Sequence, residues 1–192
     1  SDVYKRQALA SASPRRRELL GQLQQDFVLV SGTIDETQLM GETADQYVLR
    51  LAEQKARAGF ANQSTPLPTL GADTIVQVDD LVLGKPVDEA DFQRMMRLLS
   101  GRSHWVKTAV AIATEQGVIS TTVATKVWFK QLSEQEILWY WNTGEPADKA
   151  GGYGIQGLAG QFVQRIDGSY FAVVGLPLYE TAQLLQALKE QR

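Results

Sequence analysis

Asp73 and Lys85 carry the chemistry most open to a sequence reading. They bracket most of residues 70–86, Leu-Gly-Ala-Asp-Thr-Ile-Val-Gln-Val-Asp-Asp-Leu-Val-Leu-Gly-Lys-Pro. The stretch reads as a strand, a turn at Asp79-Asp80, and a returning strand. Ile75, Val76 and Val78 favour the extended state, as do Leu81 to Leu83. Asp73 heads the first strand, and Lys85 stands at the foot of the second, fixed by Pro86. A hairpin brings its ends together, so the two side chains are predicted to be neighbours. An acid and a cation at one mouth of a hairpin can bind a metal and a phosphate. The plainer alternative is a surface ion pair, which this stretch alone favours, because ion-pair networks mimic sites.

Other groups along the chain point the same way. Ser13 and Pro14 suit the N-cap and first position of a helix, with Ser11 just before them. Arg15, Arg16 and Arg17 then fall in the first turns, where the helix dipole mildly disfavours cations, by ~0.3–1 kcal/mol each. That placement makes sense if an anion docks on the N–H groups and guanidinium forks, or the arginines are simply solvated. Asp35 and Glu36 follow a short strand predicted over 26–31; they could hold a hard divalent cation or be loop polarity. Lys55 lies seven residues after Val48, where the buried stripe Val48, Leu51, Ala52 expects an apolar residue. It either snorkels to solvent or points at a bound anion.

Those residues need positioning elements. A long helix is predicted over 43–60 with Thr43 as cap, another over 88–99, and paired strands over 103–115 and 117–130 around Gln116-Gly117. Ser133 and Glu136 form a capping box for a helix through Tyr140. Trp139, Tyr140 and Trp141 read as core, with a partner surface as the alternative. Strands over 161–166 and 170–174 are predicted to pair across Asp167-Gly168, before a last helix over 178–189. Residues 152–157 match G-x-G-x-x-G. The dinucleotide fingerprint is rejected, because it needs strand, turn and helix, and here a strand follows. Its glycines still permit close approach of a ligand, and Gln156 can both donate to and accept from a base edge. The Walker phosphate loop is absent, since Pro86 follows Gly84-Lys85.

With 192 residues, 44% of them hydrophobic, the chain has enough length for one domain with a real core. A net charge of −3 gives no global basic field for nucleic acid. The absence of cysteine excludes disulfides and thiolate chemistry. A single histidine, His104, excludes histidine-pair metal sites within the chain and is read as structural. No apolar run approaches the ~20 residues of a membrane span, and no signal peptide is visible, so a cytoplasmic protein is expected. Residues 1–8 form an atypical N-terminal segment ahead of a single domain over 9–192. Lys5-Arg6-Gln7 interrupts what should be a strand, and residues 1–7 are set aside as a remnant of cloning or sequence assembly.

Eight motifs then occur in order: Ser11-x-Ser13-Pro14-Arg15-Arg16, Asp35-Glu36, Glu53-x-Lys55-Ala56, Gly71-Ala72-Asp73-Thr74, Gly84-Lys85-Pro86, Asp148-Lys149-Ala150-Gly151, Gly154-Ile155-Gln156-Gly157 and Val174-Gly175-Leu176-Pro177. In this order and spacing the chain resembles the Maf family of nucleoside triphosphate pyrophosphatases, from about Leu9 to the C-terminus. The departure is at residues 1–8, where the family has an apolar first strand. The resemblance implies an α/β fold with an elongated, mixed, curved sheet, flanking helices, and two lobes around a cleft. That architecture is similar to the inosine triphosphate pyrophosphatases. The implied reaction splits a nucleoside triphosphate between its α- and β-phosphates, giving the monophosphate and pyrophosphate.

The resemblance also implies roles. Asp73 is the general base, and Glu36 and Asp73 hold Mg²⁺ or Mn²⁺. Ser11, Ser13, Arg16, Lys55 and Lys85 bind phosphate. An unperturbed aspartate pKa of ~3.9 makes a weak base, so the metal must help polarise water or phosphate, or Asp73 is mainly a ligand. One branch of the family acts on dTTP and UTP. Another acts on 7-methyl-GTP, with Trp after the Ser-Pro, Gln after the central Asp and Glu in the late glycine loop. This chain has Arg15, Thr74 and Gln156 at those places, and the neutral amide suits uracil or thymine, so it resembles the dTTP/UTP branch. Modified pyrimidine triphosphates are further expected substrates. The partner is the nucleotide, with no nucleic acid and no membrane, and a homodimer stays open. The rival reading is a regulatory protein of septum formation that works through partner binding. A general phosphatase would instead release orthophosphate.

Overall fold

The computed structural model describes residues 6–23 and 26–190. Its elements in chain order are β1 (Arg6–Leu9), α1 (Pro14–Gln22), β2 (Asp26–Leu29), α2 (Ala44–Ala61), β3 (Thr69–Val78), β4 (Leu81–Leu83), α3 (Glu89–Leu99), β5 (Ser103–Thr114), β6 (Gly117–Phe129), α4 (Glu134–Asn142), β7 (Val163–Asp167), α5 (Tyr170–Val174) and α6 (Leu178–Glu190). The strands form one mixed seven-stranded sheet in the order β2-β1-β3-β5-β6-β7, with β4 paired to β3. The mixed α/β class expected from sequence is therefore observed. The chain forms two compact units, Ser1–Asp73 with Thr108–Val123 and Gly175–Arg192, and Thr74–Lys107 with Ala124–Val174.

In the first unit, β1 runs parallel to both β2 and β3, pairing Ala8 with Val28 and with Thr69. The sheet thus takes in Arg6 and Gln7, part of the segment set aside on sequence grounds, together with Ala8. A strand ladder is made by the backbone, so a polar Gln7 does not prevent it, and Ala8 and Leu9 are fully buried. Residues 1–5 lie outside the described residues.

Helix α2 starts at a capping box: Thr43 Oγ1 accepts from Gln46 N–H, and Gln46 Oε1 accepts from Thr43 N–H. Val48, Leu51, Ala52, Ala56 and Gly59 line its buried face. Burying Val48 and Leu51 contributes ~1.5–3 kcal/mol each. Gly71 on β3 sets how close this helix comes. A Cβ there would stand 2.5 Å from Ala56 N and 2.6 Å from Ala52 O, so only glycine lets α2 rest on the strand.

The second unit has its own core, built from Val76, Val78, Leu83, Phe92, Met96, Val127, Phe129, Tyr140 and Phe162 among others. The β3–β4 hairpin is present around Asp79, which takes a positive φ of 52°, but its pairing runs only from Val78–Leu81 to Val76–Leu83. The ladder therefore ends before Asp73 and Lys85, and Gly84 O accepts from Gly151 N–H instead. Tyr170–Val174 is a one-turn helix rather than the predicted strand. Aromatic and β-branched residues suggested a strand, but Ser169 decides it locally. Its Oγ accepts from Ala172 N–H and its carbonyl from Val173 N–H. Of the aromatic trio, Tyr140 is fully buried while Trp139 is 43% exposed, so Trp139 is not core.

His104 is structural, as expected. It is buried, its Nε2 lies 2.6 Å from Tyr153 Oη, and burial pushes its pKa down to about 3.

Candidate active site

Three segments of the first unit converge on one lysine. Lys55 Nζ donates to Asp73 Oδ1 at 2.7 Å and lies 3.0 Å from Glu36 Oε1. The placement follows from the packing: Gly71 seats Ala52 and Ala56 on β3, and the Lys55 side chain then reaches the carboxylate two residues beyond Gly71. Asp73 is 7% exposed. Its pKa is raised above the ordinary aspartate value by desolvation, which outweighs the opposing pull of Lys55 and Arg16. Asp73 is thus a stronger base than a solvated aspartate, and its partner is Lys55 rather than the Lys85 that the hairpin suggested.

Glu36 is held by the loop that bears it. Tyr47 Oη donates to Glu36 O at 2.5 Å. Arg50 donates to Thr37 O at 3.0 Å and to both carboxylate oxygens of Glu42, at 2.6 and 2.9 Å. Tyr47 and Arg50 are one turn apart on α2, eight and five residues before Lys55, so one helix fixes both sides of the Lys55–Glu36 contact. The Tyr47 pKa is raised by desolvation and by the negative charges of Asp73 and Glu36. Asp35, the other acid of the pair, accepts from Thr37 N–H and Oγ1 and caps its own loop. Sequence reading missed Tyr47 and Arg50; their spacing from Lys55 on the same helix was the available signal.

The arginine helix belongs to this unit too. Ser13 caps α1 by accepting from Arg16 N–H at 3.3 Å, and Ser11 Oγ accepts from Ser13 N–H at 3.1 Å. Arg16 Nε donates to Gly175 O at 2.8 Å. Desolvation lowers the Arg16 pKa, against the attraction of Asp73 and Glu36. Arg15, half-buried, precedes it in the first turn of α1. The first unit therefore joins Ser11, Ser13, Arg16, Glu36, Lys55 and Asp73 through short contacts or mutual charge effects.

The second unit carries Thr74, Lys85 and Gln156. Thr74 is half-buried on β3, and Lys85 is exposed after β4. Gln156 is exposed in a loop tied down by Glu145, whose carboxylate accepts from Tyr140 Oη at 2.5 Å and Leu158 N–H at 3.0 Å. Lys149 in the same unit donates to Glu145 O and Asp148 Oδ1. Glu145 was not anticipated, although it opens the stretch in which the late glycines fall.

Glu36 and Asp73 offer hard oxygen ligands that already face one cationic group. Among the described residues no three or more His, Cys, Asp or Glu side chains gather. A pair of carboxylates fits Mg²⁺ or Mn²⁺, which typically bind one or two carboxylates and complete their shell with water and substrate phosphates. No helix among the described residues is long and apolar enough to cross a membrane.

A family model described as Maf-like protein matches residues 6–188. The dTTP/UTP pyrophosphatase of Pseudoalteromonas translucida (strain TAC 125) is 59% identical over 178 residues, covering 93% of this chain and 94% of that protein. That of Vibrio vulnificus (strain YJ016) is 56% identical over 177 residues, covering 92% and 95%. That of Saccharophagus degradans is 52% identical over 192 residues, covering 98% and 90%. Among solved structures, a nucleoside-triphosphatase / dITP/XTP pyrophosphatase from Mycobacterium abscessus aligns with a TM-score of 0.44 at 18% identity, over 65% of this chain and 72% of that one.

Proposed function

The chain belongs to the Maf-like protein family, and from that premise we propose that it is a dTTP/UTP pyrophosphatase whose reaction centres on Asp73. It cleaves the α–β phosphoanhydride with water, releasing dTMP or UMP and pyrophosphate. The dTTP/UTP pyrophosphatase activity of relatives at 52–59% identity supports the substrate class. The buried Asp73, held by the Lys55 ammonium that also contacts Glu36 and attracted by the charge of Arg16, supports the chemistry.

Asp73 takes the proton of the attacking water. Its desolvated carboxylate has a raised pKa, which makes it a better base than its residue type suggests. Arg15, Arg16 and Lys55 of the first unit offset negative charge of the triphosphate, and Ser11 and Ser13 add hydroxyls; Lys85 of the second unit is assigned to phosphate by the resemblance. Glu36 and Asp73 would hold a Mg²⁺ or Mn²⁺, which supplies charge neutralisation and polarises phosphate or water. Gln156 and Thr74 of the second unit are assigned to base selection by the resemblance, as is Arg15 of the first. The dTTP/UTP pyrophosphatases among these relatives favour the enzyme over the septum-regulation alternative.

The test is a panel of dTTP, UTP, CTP, GTP and 7-methyl-GTP with Mg²⁺. Turnover of dTTP and UTP in preference to the rest supports the assignment. Preference for 7-methyl-GTP overturns the specificity roles of Arg15, Thr74 and Gln156, and orthophosphate as the first product overturns the reaction type.

A further inference from the structure

We propose that Lys55 is an exchangeable cation: its ammonium bridges Glu36 and Asp73 until a divalent cation takes the two carboxylates, and it then turns to the triphosphate. The proposal rests on the pyrophosphatase reading and adds an order of events to it.

Lys55 Nζ stands 2.7 Å from one of the two carboxylates proposed as metal ligands and 3.0 Å from the other. The Asp73 contact is withdrawn from water, with the Lys55 side chain 17% exposed and the Asp73 side chain 11%, whereas the Glu36 side chain is 56% exposed. The ammonium thus lies against the oxygens that a Mg²⁺ would need. An ammonium donates and cannot accept, so it serves phosphate oxygens as readily as carboxylates. Its charge sits on a flexible four-carbon stem, whereas the α2 backbone below is fixed against Gly71. Exchange can therefore be a side-chain rotation with no movement of the helix.

The charges give the exchange a purpose. Lys55 and Arg16 together balance Glu36 and Asp73, so the metal-free cluster offers a triphosphate little net attraction. A divalent cation makes the cluster net positive and leaves the ammonium available to the anion. Cation and nucleotide would then strengthen each other's binding reciprocally.

Two measurements on the full chain test this. In the first, lysines are labelled with an amine-reactive reagent and quantified by mass spectrometry, with Lys130 (paired to Glu136) as internal reference. Lys55 labelling should rise by roughly tenfold with Mg²⁺ alone, within the range typical of coupled sites, and fall again with Mg²⁺ plus an α,β-imido analogue of dTTP. In the second, Mn²⁺ is titrated calorimetrically without nucleotide into the parent and Lys55→Met. The variant should bind more tightly by roughly tenfold. Lys55 labelling that ignores Mg²⁺, or Mn²⁺ affinity unchanged or weakened in a folded Lys55→Met, overturns the exchange. Hydrolysis of dTTP by the same parent sample separates the two readings. If hydrolysis persists while Lys55 does not respond, only the exchange is wrong. If dTTP is not hydrolysed, the pyrophosphatase reading itself fails.

Discussion

Arg16 donates its Nε proton to the carbonyl of Gly175, 159 residues away in sequence, at 2.8 Å. This bond ties the Ser-Pro-Arg-Arg motif near the N-terminus to the Val-Gly-Leu-Pro motif near the C-terminus. Gly175 has a φ of 138°, a conformation that side chains rarely adopt, and a Cβ there would sit 3.6 Å from Arg16 Nε. Gly175→Ala should cost ~1–3 kcal/mol of stability through backbone strain. It should also raise KM for dTTP as Arg16 loses its anchor. Chemical denaturation and steady-state kinetics check the two effects.

Asp73→Asn should abolish hydrolysis without loss of stability. Burial raises the Asp73 pKa, so the ionised form is less comfortable in the folded chain than in the unfolded one. The stability tied to Asp73 is fully present below the ordinary value near 3.8 and is lost as pH rises through the raised folded value. The variant should therefore melt at or above the parent's Tm near neutral pH, and the difference should shrink toward zero in acid.

Gly71→Ala should be severely destabilising. The added methyl would fall 2.5 Å from Ala56 N and 2.6 Å from Ala52 O, both backbone atoms of α2. Overpacking of this kind costs ~1–3 kcal/mol or more, and it would push Lys55 away from Asp73. Thermal melting should show the loss, with activity falling further than the folded fraction explains.

Tyr47→Phe removes only the hydroxyl that holds the Glu36 carbonyl. A hydrogen bond of this type contributes ~0.5–1.5 kcal/mol, so the fold should survive. The Mg²⁺ concentration for half-maximal activity should rise several-fold, while KM for dTTP at saturating Mg²⁺ changes little. An unchanged Mg²⁺ dependence would remove Tyr47 from the positioning of Glu36.

Gln156→Glu replaces a donor–acceptor edge with an acceptor-only carboxylate. Loss of a matched hydrogen bond to the base, worth ~0.5–1.5 kcal/mol, should lower kcat/KM for dTTP and UTP by up to roughly tenfold, with GTP affected least. Competition assays with mixed nucleotides read this directly.

Much of the candidate site's placement was legible because its residues sit on strong local signals. Ser13-Pro14 fixes α1, the stripe through Val48 and Leu51 fixes α2, and the Val/Ile run fixes β3. Motif order carried the rest, including Glu36 and Lys55. What stayed hidden depends on distant contacts. Hairpin logic paired Asp73 with Lys85, but the ladder stops at Val76–Leu83, and α2 delivers Lys55 to Asp73. Residues 170–174 looked extended because nothing in their composition announces the hydrogen bonds from Ser169. Gln7 looked unfit for a strand, yet it is 1% exposed in β1, where pairing on both sides overrides side-chain preference. Tyr47, Arg50 and Glu145 act on loops through hydrogen bonds that no periodicity encodes.

The most direct test is product analysis of dTTP incubated with Mg²⁺ and either the parent protein or folded Asp73→Asn. Pyrophosphate and dTMP in equal amounts from the parent, with neither from the variant, is the expected result. Orthophosphate from the parent, or undiminished pyrophosphate release by Asp73→Asn, would contradict the central role of Asp73 in a pyrophosphatase.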